Sequence, residues 1–248
     1  MKEWFEKWFS NKLYLDIYRK RDDREARALV NLIQRNSDLK PGDKIIDVCC
    51  GPGRHSIEFA RRGYSVLGID ISTYLIERAI YSLKSEKEKN LNIGFEIADM
   101  RNFNYNKSFD AAVNLFSSFG YFENDIENFI VFDNIYSSLK KNGLFVFDFL
   151  NDTYLRKNLV PLSKSKVKDK TIIQKRYIDG GFVFKHIYID KIKKEPDFTE
   201  RIRLYDYNKL TGKIQEHGFK IYGLFGDYYG NKFFKNKSAR IVIFAEKK

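Results

Sequence analysis

One stretch of the sequence decides the fold, and it reads Ile45-Ile46-Asp47-Val48-Cys49-Cys50-Gly51-Pro52-Gly53-Arg54-His55. It combines a short apolar strand, a turn with two glycines and the start of a helix. Glycines suit such a turn because the backbone can bend tightly there and a ligand can approach it closely. The stretch therefore predicts a strand–turn–helix unit with a ligand-binding loop.

The same stretch discriminates between two kinds of ligand. A dinucleotide-binding loop has a third glycine where this chain has Ser56, and it holds a pyrophosphate at the helix N-terminus. Asp47 at the strand end would repel a pyrophosphate but suits a cofactor that carries an ammonium and a sulfonium group. We therefore favour the second kind of ligand. A nucleotide-binding oxidoreductase is the alternative, and it would require bound NAD.

Strands and helices alternate on both sides of this unit. Apolar strands are predicted at 44–48, 65–69, 93–98, 109–116 and 144–150, with helices at 54–61, 72–83 and 127–139 between them. A short helix at 209–217 precedes two closing strands at 219–225 and 239–245. This rhythm predicts an α/β fold with a seven-stranded, mostly parallel sheet and helices on both faces.

Two regions fall outside this rhythm. Residues 3–35 have helical spacing of apolar residues and predict an N-terminal helical lid. Residues 170–205 alternate polar and apolar side chains between turns, which predicts a small inserted antiparallel sheet, while the lysine-rich stretch before 170 is expected to be a mobile crossing segment. The predicted domains are a lid at 1–40, a cofactor-binding domain at 41–155 and 206–248, and an inserted lid or acceptor region at 156–205.

Acidic residues follow two further strands. Asp70 ends the second strand, where a carboxylate can accept hydrogen bonds from both hydroxyls of a ribose. Asp99 follows the third strand, where it can receive the exocyclic amine of adenine, with backbone from Met100. Together with Asp47, three acids lie at the edge of the sheet where open α/β folds bind ligands. This predicts a nucleoside site.

These motifs resemble those of the class I S-adenosylmethionine-dependent methyltransferases, and specifically the small bacterial methyltransferase-domain enzymes. The resemblance covers nearly the whole chain and rests on residues 47–55, 68–72, 99–100, 114–122 and 218–220. It implies a Rossmann-like fold, S-adenosylmethionine as cofactor and S-adenosylhomocysteine as product. The cofactor-binding residues that it implies are Tyr18, Arg21, Asp47, Cys49, Gly51, Gly53, Asp70, Ile71, Asp99, Met100 and Asn114.

The resemblance also implies a role for each of these positions. The glycine loop would hold the methionine part of the cofactor and Asp70 its ribose, while Ile71 would pack on the adenine. Asn114 would lie beside the transferable methyl group. In the N-terminal segment Arg21 would pair with the cofactor carboxylate, since a guanidinium can donate two parallel hydrogen bonds to it. The alternative is that Arg21 is an ordinary exposed helical arginine.

Methyl transfer needs mainly alignment in a dry pocket, so no metal and no fixed triad are expected. Candidate catalytic bases are His186, Asp227 and Tyr228, and the remaining histidines, His55 and His217, are weaker candidates. The inserted sheet and residues 226–230 are expected to form the acceptor pocket. Its predicted walls are Tyr205, Tyr207, Tyr228 and Tyr229; alternatively these tyrosines fill the core of the lid itself.

The amino-acid composition limits which binding partners are expected. The net charge of +12 comes from 45 Lys and Arg against 33 Asp and Glu, but the lysines are scattered, with no dense block beyond 164–175. A small-molecule acceptor with an N or O nucleophile is therefore favoured. An RNA or protein methyltransferase and a non-catalytic cofactor-binding protein are the alternatives. Two adjacent cysteines and no long apolar run predict a cytoplasmic protein, monomeric or homodimeric, without a membrane partner.

Overall fold

The computed structural model describes residues 3–19, 23–86 and 90–248, which form two β-sheets and the helices around them. The strands are β1 (Lys44–Val48), β2 (Ser65–Asp70), β3 (Ile93–Ile97), β4 (Phe109–Asn114), β5 (Leu139–Leu150), β6 (Leu162–Val167), β7 (Lys170–Asp179), β8 (Phe182–Ile189), β9 (Phe198–Arg203), β10 (Phe219–Phe225) and β11 (Arg240–Lys247). The helices are α1 (Trp4–Phe9), α2 (Lys12–Ile17), α3 (Asp23–Arg35), α4 (Arg54–Arg61), α5 (Thr73–Lys84), α6 (Asp125–Ser138), α7 (Asp152–Asn158) and α8 (Tyr207–Glu216).

The larger sheet has the strand order β10-β11-β5-β4-β1-β2-β3. Strands β1 to β5 pair in parallel, and β11 pairs antiparallel with both β5 and β10. The predicted seven-stranded, mostly parallel sheet is confirmed. From β1 the chain moves outward through β2 and β3, and then returns to β4 on the other side of β1. The carboxyl ends of β1 and β4 therefore flank the crevice in which such sheets bind ligands.

Phenylalanine dominates the core on one face of this sheet. Phe119, Phe132, Phe145 and Phe147 are fully buried, and the rings of Phe119 and Phe132 stack with their centroids 5.2 Å apart. Burying each such side chain stabilises the fold by roughly 1.5–3 kcal/mol. The opposite face packs against α3 and α4 through a second apolar cluster. Both faces of the sheet that carries the crevice are therefore covered by buried apolar side chains.

The smaller sheet has the order β6-β7-β8-β9, is antiparallel throughout, and packs against the N-terminal helices. Trp8 of α1 is 1% exposed and contacts Ile172 and Ile187 of this sheet. Its ring also lies 4.6 Å from that of Phe198, measured between centroids. The predicted inserted antiparallel sheet is therefore present, and the N-terminal helices cover one face of it.

Four sequence-based expectations about local structure are wrong. The helix predicted at 3–35 is interrupted, because Ser10 ends α1 and Asn11 caps α2 by accepting a hydrogen bond from the Leu13 amide. The stretch before 170 is no mobile crossing; it forms α7 and then β6, which pairs with β7. The fourth strand ends at Asn114, two residues earlier than predicted, and β5 begins at Leu139, five residues earlier than predicted.

Candidate active site

A cavity of about 430 Å³ opens at the carboxyl edge of the larger sheet. Its walls come from the N-terminal helices, the loop after β1, the loop after β4 and the inner face of the smaller sheet. A second pocket of about 50 Å³ adjoins it. The two pockets are parts of one site, because they share six lining residues: Phe9, Tyr14, Cys49, Gly51, Ser118 and Tyr121.

The loop after β1 is tied to β2 by hydrogen bonds. The Cys50 amide donates to the Ile69 carbonyl and the Gly51 amide to Asp70 Oδ2, both at 2.9 Å. Cys49 has a φ of 61°, a left-handed conformation that is costly for a residue with a side chain. A Cβ on Gly51 would meet no heavy atom within 4 Å, so the backbone here is open to a ligand.

Gly53 serves a different purpose from Gly51. It lines neither part of the site, and a Cβ at this position would lie 2.8 Å from Phe95 Cζ and 3.0 Å from Ala79 Cβ. Its φ of 79° is also in the left-handed region. The need for glycine here comes from the packing of α4 against its neighbours, in addition to the turn.

Asp70 lies at the smaller pocket, as the strand-end acid predicts. It is 6% exposed, and its carboxylate accepts hydrogen bonds from the amides of Gly51 and Ser72, both at 2.9 Å. Burial raises the pKa of Asp70 to about 6, against the opposing effect of these hydrogen bonds. Ile71 and Met100 line the same pocket with apolar surface.

Asp47 lines the larger cavity and is 1% exposed. Its Oδ2 accepts a hydrogen bond of 2.6 Å from Ser56 Oγ, so the serine that replaces a glycine holds this carboxylate. Burial raises the pKa of Asp47 to about 7, the Ser56 hydrogen bond opposes the rise, and the charge of Asp70 adds to it. Within the described ranges no lysine or arginine lies within 4.0 Å of Asp47. A cationic ligand would stabilise its ionised form.

Asp99 also lines the smaller pocket, but its carboxylate is engaged. Arg101 donates to it through Nε at 3.0 Å and Nη2 at 2.6 Å, and the same arginine reaches Glu127 at 3.0 Å. Cys49 Sγ lies 3.4 Å from Met100 Sδ beside it. The Arg101 amide also donates to Asp99 Oδ1 at 2.9 Å, so three N–H groups of Arg101 occupy this carboxylate. A carboxylate has about four lone-pair sites, which leaves Asp99 room for at most one hydrogen bond from a ligand.

Asn114 ends β4 as expected, yet its side chain supports the backbone and does not line either part of the site. The side chain is completely buried, and its Nδ2 donates to the carbonyls of Val48 and Ser118, both at 3.1 Å. Asn114 thereby holds the end of β1 to the loop after β4. Its expected place beside the transferable methyl group stays a prediction.

Asp148 of β5 organises the loop after β4. This fully buried carboxylate accepts hydrogen bonds from the Phe116 amide at 2.8 Å, Tyr228 Oη at 2.7 Å and Arg240 Nε at 2.6 Å. Phe116 and Ser117 have φ values of 66° and 62°, so the loop is strained where it lines the cavity. Strain of this kind persists only where surrounding contacts enforce it, and Asp148 supplies them.

The predicted base candidates do not line the cavity. His186 follows Lys185 on β8; Lys185 lines the cavity, whereas His186 lies on the outer face with its Nε2 3.2 Å from Tyr177 Oη. Asp227 stabilises its own turn by accepting from the Tyr229 and Asn231 amides at 2.9 and 3.2 Å. The Tyr228 hydroxyl is bound to Asp148. These residues stabilise local structure.

The prediction that four tyrosines form the walls of the acceptor pocket is also wrong, because none of the four lines the cavity. Tyr205 is 2% exposed in the phenylalanine core and donates to Asp125 at 2.8 Å, and Tyr207 stacks on Phe233. Tyr229 is 82% exposed on the surface. The aromatic walls are instead Trp4, Phe9, Tyr14, Tyr18, Phe116 and Tyr121.

His55, a weak candidate from the sequence, does line the cavity. It is 6% exposed, and its Nε2 is buried without a hydrogen-bond partner among the described residues. Burial lowers the pKa of His55 to about 3, and the charges of Arg54 and Arg240 lower it further, so the ring is neutral at pH 7. The ring can therefore donate or accept one hydrogen bond at the cavity wall.

A polar cluster that the sequence did not reveal links the N-terminal segment to the smaller sheet. Lys185 of β8 and Glu200 of β9 are cross-strand neighbours, and both contact the Tyr18 hydroxyl. Burial alone would raise the pKa of Glu200, but Lys185, Tyr18 and Trp8 outweigh it and hold that pKa below its ordinary value. Tyr18 lines the cavity as expected. Arg21, its predicted companion, lies outside the described residues.

In the part of the chain that the structure describes, no group of three His, Cys, Asp or Glu side chains could hold a metal ion. Nor has any helix in the described ranges the length and apolar character needed to cross a bilayer.

The part of the chain that carries most of these candidate residues is similar to known proteins. Residues 45–143 match the family described as a methyltransferase domain. The resemblance to the class I S-adenosylmethionine-dependent methyltransferases is confirmed. The matched methyltransferase domain contains Asp47, Asp70, Asp99 and Asn114, and it ends before the smaller sheet begins.

One relative of known name matches less than half of this chain. A Geobacillus sp. (strain WCH70) protein named as a methyltransferase is 32% identical over 111 residues, which make up 45% of this chain and 43% of that protein. The chain thus matches less than half of that relative's length.

Solved structures cover nearly the whole chain. A S-adenosylmethionine-dependent methyltransferase from Clostridium acetobutylicum ATCC 824 is 18% identical with a TM-score of 0.77, over 95% of this chain and 96% of that one. CalS10, an amino pentose methyltransferase from Micromonospora echinaspora solved with bound S-adenosylmethionine, is 16% identical with a TM-score of 0.69, over 96% and 98%. At these identities the likeness establishes the methyltransferase fold, smaller sheet included.

Proposed function

We propose that the protein transfers a methyl group from S-adenosylmethionine to an N or O nucleophile of a small molecule. One observation carries the proposal: two buried carboxylates, Asp47 and Asp70, end adjacent strands and line the two adjoining parts of one site. A buried carboxylate beside the apolar surface of Ile71 and Met100 suits a ribose. A carboxylate in the larger cavity, with no lysine or arginine within 4.0 Å in the described part of the chain, suits a cation. S-adenosylmethionine carries both features.

The residues present fit this cofactor. Asp70, Ile71 and Met100 combine a hydrogen-bond acceptor with apolar surface, as a nucleoside requires. His55 Nε2 is a buried polar atom without a partner in the described structure, which is unusual unless a ligand completes it. Asp47 and Asp70 also have raised pKa values, a property that clusters at functional sites.

When bound, the cofactor would supply an activated methyl group on a sulfonium, so the chain has to align the acceptor and exclude water. Phe9, Tyr14 and Tyr121 line both parts of the site and form a shared aromatic wall that limits access of water. Asp70 would fix the ribose, while the strained backbone at Phe116 and Ser117 would help to set the position of the methionine end.

A small acceptor is favoured because the cavity is bounded by the lid on one side and the smaller sheet on the other. Its volume of about 430 Å³ is within the range of small-molecule sites, roughly 300–1,000 Å³. The amino pentose acceptor named for CalS10 is consistent with this size class. An RNA or protein acceptor would have to insert a single protruding group.

Calorimetric titration with S-adenosylmethionine and S-adenosylhomocysteine tests the proposal. We expect micromolar binding to the wild type, and a loss of at least about tenfold for Asp70→Asn, which keeps the size of the side chain but removes its charge. Asp169→Asn is the matched control, because Asp169 is exposed in the turn between β6 and β7. If neither compound binds the wild type, or both variants bind equally, the proposal fails.

A further inference from the structure

Arg176 stands out among the residues that line the larger cavity. It lies on β7, and its guanidinium donates from Nη1 to Ser163 Oγ at 2.9 Å and to the Val160 carbonyl at 3.4 Å. Nη2 donates to Gln174 Oε1. These partners are neutral, and they orient the guanidinium without neutralising it. The Nε–H and one Nη2–H have no partner in the described structure and remain for a ligand.

The other cations at this cavity differ from Arg176 in their surroundings. Arg240 binds the buried Asp148 at 2.6 Å, Lys185 binds Glu200, and Arg54 lies 4.0 Å from Glu25. Within the described ranges no carboxylate lies within 4.0 Å of Arg176 or of Arg19, which is exposed where it lines the cavity.

Positive side chains outnumber carboxylates in the lining of the cavity. The lining includes five cationic side chains, Arg19, Arg54, Arg176, Lys185 and Arg240, against two carboxylates, Asp47 and Glu200. Three of the cations form ion pairs, and Arg19 and Arg176 are the two cations of the lining that have no carboxylate within 4.0 Å in the described ranges. A bound sulfonium cofactor would add further positive charge. A cavity lined mainly by one sign of charge attracts a ligand of the opposite sign.

We propose that the methyl acceptor is an anionic small molecule and that Arg176 binds its phosphate or carboxylate group. This inference rests on the proposed function and names the substrate class for it. A guanidinium suits the task because its planar fork can donate two parallel hydrogen bonds to either anion. Leu155, Leu159 and Val183 line the same cavity, and such apolar neighbours strengthen an ion pair by reducing its exposure to water.

Arg176 lies on the smaller sheet, whereas the candidate cofactor residues Asp47 and Asp70 lie on the larger one. The anionic group would therefore be held from across the cavity, and the nucleophile would face the larger sheet. Selection for an anion then acts at a distance from the reacting atom, which leaves the methyl-transfer geometry to the loops after β1 and β4.

Titration calorimetry with inorganic pyrophosphate and, separately, with glutarate tests this inference in a buffer free of competing anions. Wild type, Arg176→Gln and Lys175→Gln are compared. Lys175 precedes Arg176 on β7 and lies on the outer face, with its Nζ 5.8 Å from the centre of the Tyr188 ring. The control variant thus removes the same charge from the neighbouring position, without touching the cavity.

We expect the wild type to bind at least one of the two anions. Arg176→Gln should weaken that binding by at least about tenfold, and Lys175→Gln should change it by less than about twofold. Arg176→Lys keeps the charge but not the fork, and should give an intermediate loss. Binding of pyrophosphate alone indicates a phosphate-bearing acceptor, and binding of glutarate alone indicates a carboxylate; either result supports the inference.

Three results would overturn it: no binding of either anion to the wild type, unchanged binding to a folded Arg176→Gln variant, or an equal loss in Lys175→Gln. Circular dichroism establishes folding of each variant. Every titration is run with and without saturating S-adenosylhomocysteine. Failure of the nucleoside to bind therefore contradicts the proposed function alone, while the anion titrations still decide the role of Arg176.

Discussion

The indole Nε1 of Trp8 donates a hydrogen bond of 2.7 Å to Glu200 Oε1, and so joins the first helix to the last strand of the smaller sheet. The two residues are 192 positions apart in the sequence. Because Glu200 also binds Lys185 and Tyr18, one carboxylate fixes the N-terminal helices beside the candidate acceptor cavity.

Trp8→Phe removes this hydrogen bond while keeping an aromatic ring in the same position. Because a hydrogen bond to a charged group contributes about 1.5–3 kcal/mol, we expect at least that loss in the free energy of unfolding, measured with urea. Trp4→Phe is the control, since Trp4 Nε1 donates to a neutral acceptor, the Tyr121 carbonyl, at the longer distance of 3.4 Å. Equal losses in both variants would contradict a special role for the Trp8–Glu200 bond.

Arg240→Met should be strongly destabilising. It leaves the carboxylate of Asp148, which is completely buried, without its cationic partner, and breaking a buried pair in this way costs about 3–5 kcal/mol. Arg156→Met breaks the exposed pair with Asp152 at 2.7 Å and should cost no more than about 1 kcal/mol. Thermal and urea unfolding give both values; a small loss in Arg240→Met would show that Asp148 tolerates an unpaired state.

Gly53→Ala and Gly212→Ala should have opposite effects on stability. At Gly53 the added methyl group meets Phe95 and the φ of 79° is unfavourable, so a loss of about 1–3 kcal/mol is expected. Gly212 lies inside α8, and a Cβ there meets nothing within 4 Å, so alanine should stabilise the helix by roughly 0.5–1 kcal/mol. Denaturant midpoints report both signs, and a stabilised Gly53→Ala would refute the packing argument.

The contribution of Asp47 and Asp70 to the stability of the protein should fall as the pH rises from about 4 to about 7. Asp47 and Asp70 have pKa values of about 7 and about 6 in the folded protein, above the ordinary value of 3.8. Well below pH 3.8 both carboxyl groups are protonated in the folded and in the unfolded protein, and their contribution to stability is fully present. As the pH rises, the unfolded chain ionises first, so the contribution is lost until the folded groups ionise as well.

Asp47→Asn stays neutral at every pH and isolates this effect. The difference in unfolding free energy between Asp47→Asn and the wild type should grow in favour of the variant from about pH 4 to about pH 7 and then level off. Other titrating groups, such as the buried His55, are common to both proteins and cancel. Urea titrations across this range measure the difference, with Asp169→Asn as a surface control. A difference independent of pH would contradict the raised pKa.

The sequence predicted the cofactor side of the site better than the acceptor side, for a physical reason. Asp70 and Asp99 follow parallel strands whose carboxyl ends must meet at one edge, so their placement follows from the order of strands and helices. The acceptor side depends on which face of an antiparallel strand is covered. From the alternation of polar and apolar residues alone, His186 could lie on either face of β8. The N-terminal helices cover the face that carries Lys185, so His186 lies on the other, outer face.

The tyrosines were misassigned because a sequence does not distinguish a core aromatic from a cavity wall. Tyr205 and Tyr228 both use their hydroxyl groups on buried or half-buried carboxylates, Asp125 and Asp148, which lie far away in the sequence. Trp4 and Tyr14 belong to the N-terminal region whose apolar spacing predicts only helix, and they line the cavity because α1 and α2 pack against the two sheets. Long-range packing decided these cases.

The contacts of Asp148 also determine how substitutions in this region combine. Its single carboxylate serves the Phe116 amide, the Tyr228 hydroxyl and the Arg240 guanidinium at once. Loss of one donor changes the charge felt by the other two, so the effects of Tyr228→Phe and Arg240→Met will not add in the double variant. Any energy assigned to one of these contacts is therefore a property of the whole group.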